Sequence, residues 1–261
     1  MICREIIRKL EEQYPVSLAE EWDNVGLLVG DETADIKKIL VALDVTDETV
    51  EKAIETGADL IVTHHPLLFK PARRVTMQDH IGRRILKMAA HHISCYAMHT
   101  NFDIGGMAYL NAEELELKED EVLEETGVDE KGQPFGLGRI GNLPREMTAS
   151  DLARKIKTTY RLEGIRLYGD DSRKVHRLAI CSGSGREFIS LAREKGADVY
   201  VTGDLDYHSA IDGVSDGLIL IDAGHYGTEF GFIPFMAGKL HELFPSLAIE
   251  QADIKQPYCV V

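Results

Sequence analysis

Apolar positions along the chain fall into short, nearly continuous runs separated by stretches with helical spacing. That alternation is expected of strands buried on both faces of a parallel sheet, with helices between them. Lys37-Lys-Ile-Leu-Val-Ala-Leu-Asp44 reads as such a strand, Asp47 to Thr56 as a helix, and Gly57-Ala-Asp-Leu-Ile-Val-Thr63 as the next strand. The same order returns 139 residues further on, from Gly57 to Gly196, without a gap. Arg177-Leu-Ala-Ile-Cys181 is the strand, Arg186 to Lys195 the helix, and Gly196-Ala-Asp-Val-Tyr-Val-Thr202 the following strand. Each glycine stands where a left-handed cap would end its helix.

The third strands correspond more loosely: Ile93-Ser-Cys-Tyr-Ala-Met98 and Leu218-Ile-Leu-Ile221, followed by apolar helices around Met107 to Leu115 and Glu229 to Leu243. The chain therefore reads as an α/β protein of two related lobes from an internal duplication, with mixed or mostly parallel sheets flanked by helices. The predicted division is residues 1–120 and 121–261, with the last helix and strand as candidates to pack back on the first lobe. The segment from about Lys118 to His176, rich in charge and glycine, is expected to join the lobes and to carry one helix near Ala149 to Tyr160.

Composition narrows the class. Of 261 residues, 44% are hydrophobic and 28% charged, which is globular and not disordered. No apolar run nears the roughly 20 residues of a spanning helix, so no membrane partner is expected. The opening Met1 to Leu10 has charges between its apolar positions and does not read as a signal peptide. Four scattered cysteines (Cys3, Cys95, Cys181, Cys259) suggest neither a disulfide framework nor a cysteine zinc site, and point to a reducing cytoplasm. A formal charge of −15 argues against generic nucleic-acid binding.

Ligands of open α/β sheets gather beyond the carboxyl ends of the strands. There the chain places His64 and His65 after Thr63, His99 to Asp103 after Met98, and Asp222 to Glu229 after Ile221. Imidazoles and carboxylates in one cleft between the lobes would suit borderline divalent ions. His91-His92 is an internal control: at the end of a helical stretch, it reads as a surface pair.

The residues that carry this chemistry also carry a resemblance. Trp22-Asp-Asn-Val-Gly-Leu-Leu-Val29, Thr63-His-His-Pro66, His99-Thr-Asn-Phe-Asp103 and Gly224-His-Tyr-Gly-Thr-Glu229 resemble the Nif-three-like family, whose members are often called homologues of GTP cyclohydrolase I type 2. The resemblance implies a dinuclear metal site and a ring-shaped homo-hexamer. It carries over His64, His65, Asp103, His225 and Glu229 as ligands of two divalent ions (Zn, Fe or Mn), with Glu229 as the bridge. The chain is too short between its halves for the extra domain of some members.

Other residues have two readings each. His99 and His208 are candidate acid–base groups, or hydrogen-bonded structural imidazoles. Asp204, which with Gly203 replaces the His-His pair in the second half, and Asn24 are candidate substrate contacts. Trp22 lines the pocket or anchors the core. Cys181-Ser-Gly-Ser-Gly-Arg186 is either a phosphate cradle assisted by Arg186 or a tight strand-to-helix turn. The function expected is a dinuclear metal-dependent hydrolase using metal-activated water on a nucleotide or phosphorylated substrate. The alternative is a non-enzymatic metal chaperone or an oligomeric scaffold.

Overall fold

The structure is a computed structural model that describes residues 1–253, 256 and 258–260. Chain contacts divide it into two compact units, Met1–Phe102 with Phe232–Ile254, and Asp103–Gly231 with Lys255–Val261. The divisions thus fall at 102/103 and 231/232, not after residue 120.

In the first unit a five-stranded sheet has the order β1 (Gly26–Val29), β4 (Ser94–Ala97), β3 (Leu60–Thr63), β2 (Lys38–Ala42), β11 (Ala248–Gln251). Only β1 runs antiparallel to its neighbour; β4, β3, β2 and β11 are mutually parallel. Helices α1 (Cys3–Glu11), α2 (Asp47–Thr56), α3 (His80–Ala90), the single turn α4 (Thr100–Phe102) and α10 (Phe232–Leu243) belong to this unit. Every residue of β3 and β4 is buried, which is why their sequences show no polar alternation. Gly57 takes the left-handed conformation (φ 67°) that the end of α2 requires.

In the second unit a six-stranded mixed sheet has the order β5 (Lys118–Val128), β6 (Pro134–Thr148), β8 (Lys174–Ile180), β9 (Val199–Thr202), β10 (Ile219–Asp222), β7 (Arg166–Tyr168). Strands β8, β9 and β10 are parallel, as the repeat predicts, and Gly196 has φ +80° after the helix α7 (Ile189–Glu194). The remaining helices are α5 (Ala108–Glu114), α6 (Ala149–Thr159), α8 (Tyr207–Ser215) and α9 (His225–Glu229).

The segment expected to be mainly connector is instead sheet. Strands β5 and β6 form a long antiparallel hairpin, and β6 pairs onward with β8. Its outer strand is largely exposed and charged, so it lacks the apolar run that marks the other strands. Gly136 is needed there by contact: a Cβ would lie 1.8 Å from the Glu124 carbonyl oxygen. Among the described residues no helix is long and apolar enough to cross a membrane.

Candidate metal centre

The first unit brings three histidines together at the carboxyl ends of its parallel strands. His64 and His65 follow β3, and His99 follows β4. One ring nitrogen from each lies within 4.8 Å of the others. Each ring is held through its other face. His64 Nδ1 donates to the Met98 carbonyl at 3.0 Å, His65 Nδ1 lies 2.8 Å from Asp44 Oδ1, and His99 Nδ1 lies 2.9 Å from Asp23 Oδ1. With Nδ1 as the donor, a neutral imidazole carries its lone pair on Nε2. Such oxygen–imidazole pairs are the usual support of metal-binding histidines.

Asp23 is itself tightly held. Its carboxylate accepts from the Thr100 amide (3.0 Å) and hydroxyl (2.6 Å) besides His99. Burial alone would raise its pKa, but the hydrogen bonds from His99 and Thr100 outweigh it and keep the carboxyl well below the usual range.

The second unit gathers a complementary set around one turn. His225 opens α9 and Glu229 closes it, one helical turn apart, so both side chains share a face. His225 Nε2 lies 3.2 Å from Glu229 Oε2, and its Nδ1 lies 2.8 Å from Asp204 Oδ2. Asp204 adopts a left-handed φ of 54° to reach it, a conformation that a side chain tolerates at some strain. The turn after β8 passes so close that a Cβ on Gly183 would sit 2.4 Å from Glu229 Oε1. Ser182 Oγ lies 3.5 Å from Asp103 Oδ1, and Asp103 begins a π-helical turn, Asp103–Met107. Burial, then the nearby Asp103, Glu187 and Glu229 carboxylates, push the neighbouring Cys181 thiol up out of the reactive range.

A backbone network fixes α9 from below. Thr228 Oγ1 accepts from the Gly183 amide (2.9 Å), and the Thr228 carbonyl accepts from the buried Asn111 Nδ2 (3.1 Å). Asn111 Oδ1 in turn accepts from the buried Tyr160 hydroxyl at 2.8 Å. Imidazoles whose Nδ1 is held at an oxygen, and carboxylates as further donors, match the chemistry of a borderline divalent cation.

The model of the Duf34/NIF3 (NGG1p interacting factor 3) family matches residues 1–257. The chain belongs to this family. A Clostridium perfringens relative in DUF34/NIF3, called a GTP cyclohydrolase 1 type 2 homolog, is 37% identical over 262 residues, covering 99% of each chain. A Clostridium acetobutylicum relative of the same name is 34% identical, covering 94% of this chain and 92% of its own. The crystal structure of a Bacillus cereus protein related to NIF3 superposes with a TM-score of 0.92 at 28% identity, covering 100% of this chain and 99% of that one. The mixed α/β fold with two helix-flanked sheets is therefore that of DUF34/NIF3 proteins.

Several candidates sit differently from their sequence reading. His99, read as an acid–base group or a structural imidazole, clusters with His64 and His65 as a candidate donor. Asp204, read as a substrate contact, is engaged by His225. Asn24, also read as a substrate contact, gives its side-chain nitrogen to the Leu68 carbonyl. The glycine-rich turn is not an open phosphate cradle: the Gly183 and Gly185 amides donate to Thr228 and Thr202 hydroxyls, and Arg186 pairs with Asp206 at 3.3 Å. His208 is exposed in the first turn of α8, its ring 5.4 Å from Tyr207. His91 and His92 end α3 at the surface, His92 with a left-handed φ of 56°. Sequence reading missed Asp44 as a partner of His65. The signal was available, since Asp44 ends the run that precedes α2, at the same rim of the sheet.

Proposed function

We propose that this chain is a dinuclear metal-dependent hydrolase acting on a nucleotide or phosphorylated small molecule. In this reading His64, His65, Asp103, His225 and Glu229 hold two divalent ions of the zinc, iron or manganese class. One observation carries it: His64, His65 and His225 each turn Nδ1 to an oxygen acceptor, the support that metal-binding histidines usually have. When bound, a pair of divalent ions supplies Lewis acidity and a nucleophilic water near neutral pH.

The chain's own residues have two further tasks. Asp23, held ionised, orients His99 to hold or pass a proton beside the donor cluster; His208 is the second candidate for that work. Two dications set against the Asp103 and Glu229 carboxylates leave a positive local field, which suits a phosphate-bearing substrate despite the acidic chain. The names of the clostridial relatives make GTP the first substrate to try. The same reading includes the ring-shaped homo-hexamer implied by the sequence resemblance.

The test is to incubate metal-loaded protein with GTP, other nucleotides and phosphate esters, following formate and free phosphate. Turnover is expected to vanish with chelator and return with a divalent ion. His99→Ala should lower it by about a hundredfold. Formate from GTP identifies ring opening, and phosphate alone identifies phosphoester hydrolysis. Absence of turnover with every substrate and metal would overturn the hydrolase in favour of a metal chaperone or scaffold.

A further inference from the structure

Beside the histidine cluster the first unit exposes two large aromatic rings in contact. Trp22 is 58% exposed and Phe69 50% exposed, their ring centroids 5.7 Å apart at 56°. Both face the same imidazole: His99 lies 6.0 Å from Trp22 and 6.4 Å from Phe69. Single exposed apolar side chains need no explanation, but a contacting pair at the rim of a donor cluster does.

The pair is also held in place. Buried Asp23, next to Trp22, is fixed by Thr100 and His99. The Glu20 amide donates to Thr100 Oγ1 at 2.9 Å, and Asn24 ties the same loop to Leu68, the neighbour of Phe69. The rings are thus presented to solvent by a pinned loop, and little ordering would be lost on binding a ligand.

A second, independent feature adjoins them. Directly after Phe69 the sequence runs Lys70-Pro-Ala-Arg-Arg74, with all three cations exposed. Among the described residues none of the three makes a salt bridge, whereas Arg8, Lys9, Arg83, Arg84, Lys87 and Arg177 are each paired with a carboxylate. Aromatic faces beside unpaired cations match one ligand chemistry, a flat heteroaromatic base carrying phosphate.

We propose that Trp22 and Phe69 form a stacking site for a nucleotide base, with Lys70, Arg73 and Arg74 receiving its phosphates. This rests on the hydrolase reading for its metal chemistry and names the substrate class and the side from which it is held.

Trp22 is the only tryptophan in the chain, so base stacking has a direct optical readout. Purified protein is titrated with GTP, guanosine and inorganic triphosphate, reading tryptophan emission on mixing at low salt. GTP should quench saturably, guanosine should quench with weaker affinity, and triphosphate should compete with GTP without quenching. Phe69→Ala should weaken GTP and guanosine alike by about tenfold, and Phe69→Tyr should restore both. Changing Lys70, Arg73 and Arg74 together to Ala should weaken GTP and leave guanosine unchanged. Failure of GTP and guanosine to quench, or wild-type affinity in Phe69→Ala, would overturn the stacking site. GTP binding unaffected by the triple change would overturn the phosphate half. Metal content measured on the same samples separates these failures from failure of the metal site, because none of the substituted residues is a proposed ligand.

Discussion

At the residue scale, the tuning of each imidazole lies one atom beyond the donor. His65 and His225 each meet a carboxylate at 2.8 Å, from Asp44 and Asp204. Removing either carboxylate leaves the proposed ligand in place but frees its ring to rotate and lowers its basicity. Asp44→Ala and Asp204→Ala are each expected to weaken metal binding by about 10–100-fold. Competition with a chromogenic chelator measures this, and unchanged affinity would mean that neither contact orients a ligand. The candidate ligands drew notice in the sequence because polar side chains at the end of an apolar strand have no packing reason to be there. His64 and His65 stood out from His91 and His92 for that reason. Their supports were not legible, since an aspartate in a loop looks the same whether it faces solvent or an imidazole. Asp204 is the plain case: its place after the strand was legible in the sequence, its hydrogen bond to His225 was not.

At the element scale, the duplicated strand–helix–strand order came through the sequence because buried parallel strands are continuous apolar runs. The β5–β6 hairpin did not, because its outer strand is charged and solvated and its partner is interrupted by glycines that the close backbone demands. The helix expected from about Glu229 to Leu243 is α10, which begins at Phe232, while Glu229 closes the separate short α9. The short α9 depends on its neighbours. Asn111→Ala leaves the buried Tyr160 hydroxyl and Thr228 carbonyl without their partner, and should cost about 2 kcal/mol in urea unfolding. A change within experimental error would show that the network does not support the helix.

Helix α8 gives a pH-dependent case. Asp206 caps it by accepting from the His208 and Ser209 amides, and hydrogen bonds from Ser209 bring its pKa down to about 2. A depressed carboxyl contributes stability that is present above the unfolded value, about 4, and is lost as pH falls through the folded value. Asp206→Ala should therefore lower the thermal midpoint at pH 7, with the difference from wild type shrinking as pH falls from 4 to 2. Melting curves with equal differences at both ends would contradict this.

At the scale of the whole molecule, a chain of net charge −15 has little use for phosphate-bearing ligands unless positive charge is supplied locally. The proposed ions supply it at the donor cluster, and the proposed hydrolysis depends on them. The most direct test is elemental analysis of protein reconstituted with zinc, iron or manganese and then desalted. Wild-type protein and the His91→Ala/His92→Ala double variant should both hold about two ions per chain, and Glu229→Ala should hold fewer because it removes a proposed carboxylate ligand. Wild-type protein without stoichiometric metal, or Glu229→Ala with a full complement, would contradict the assignment.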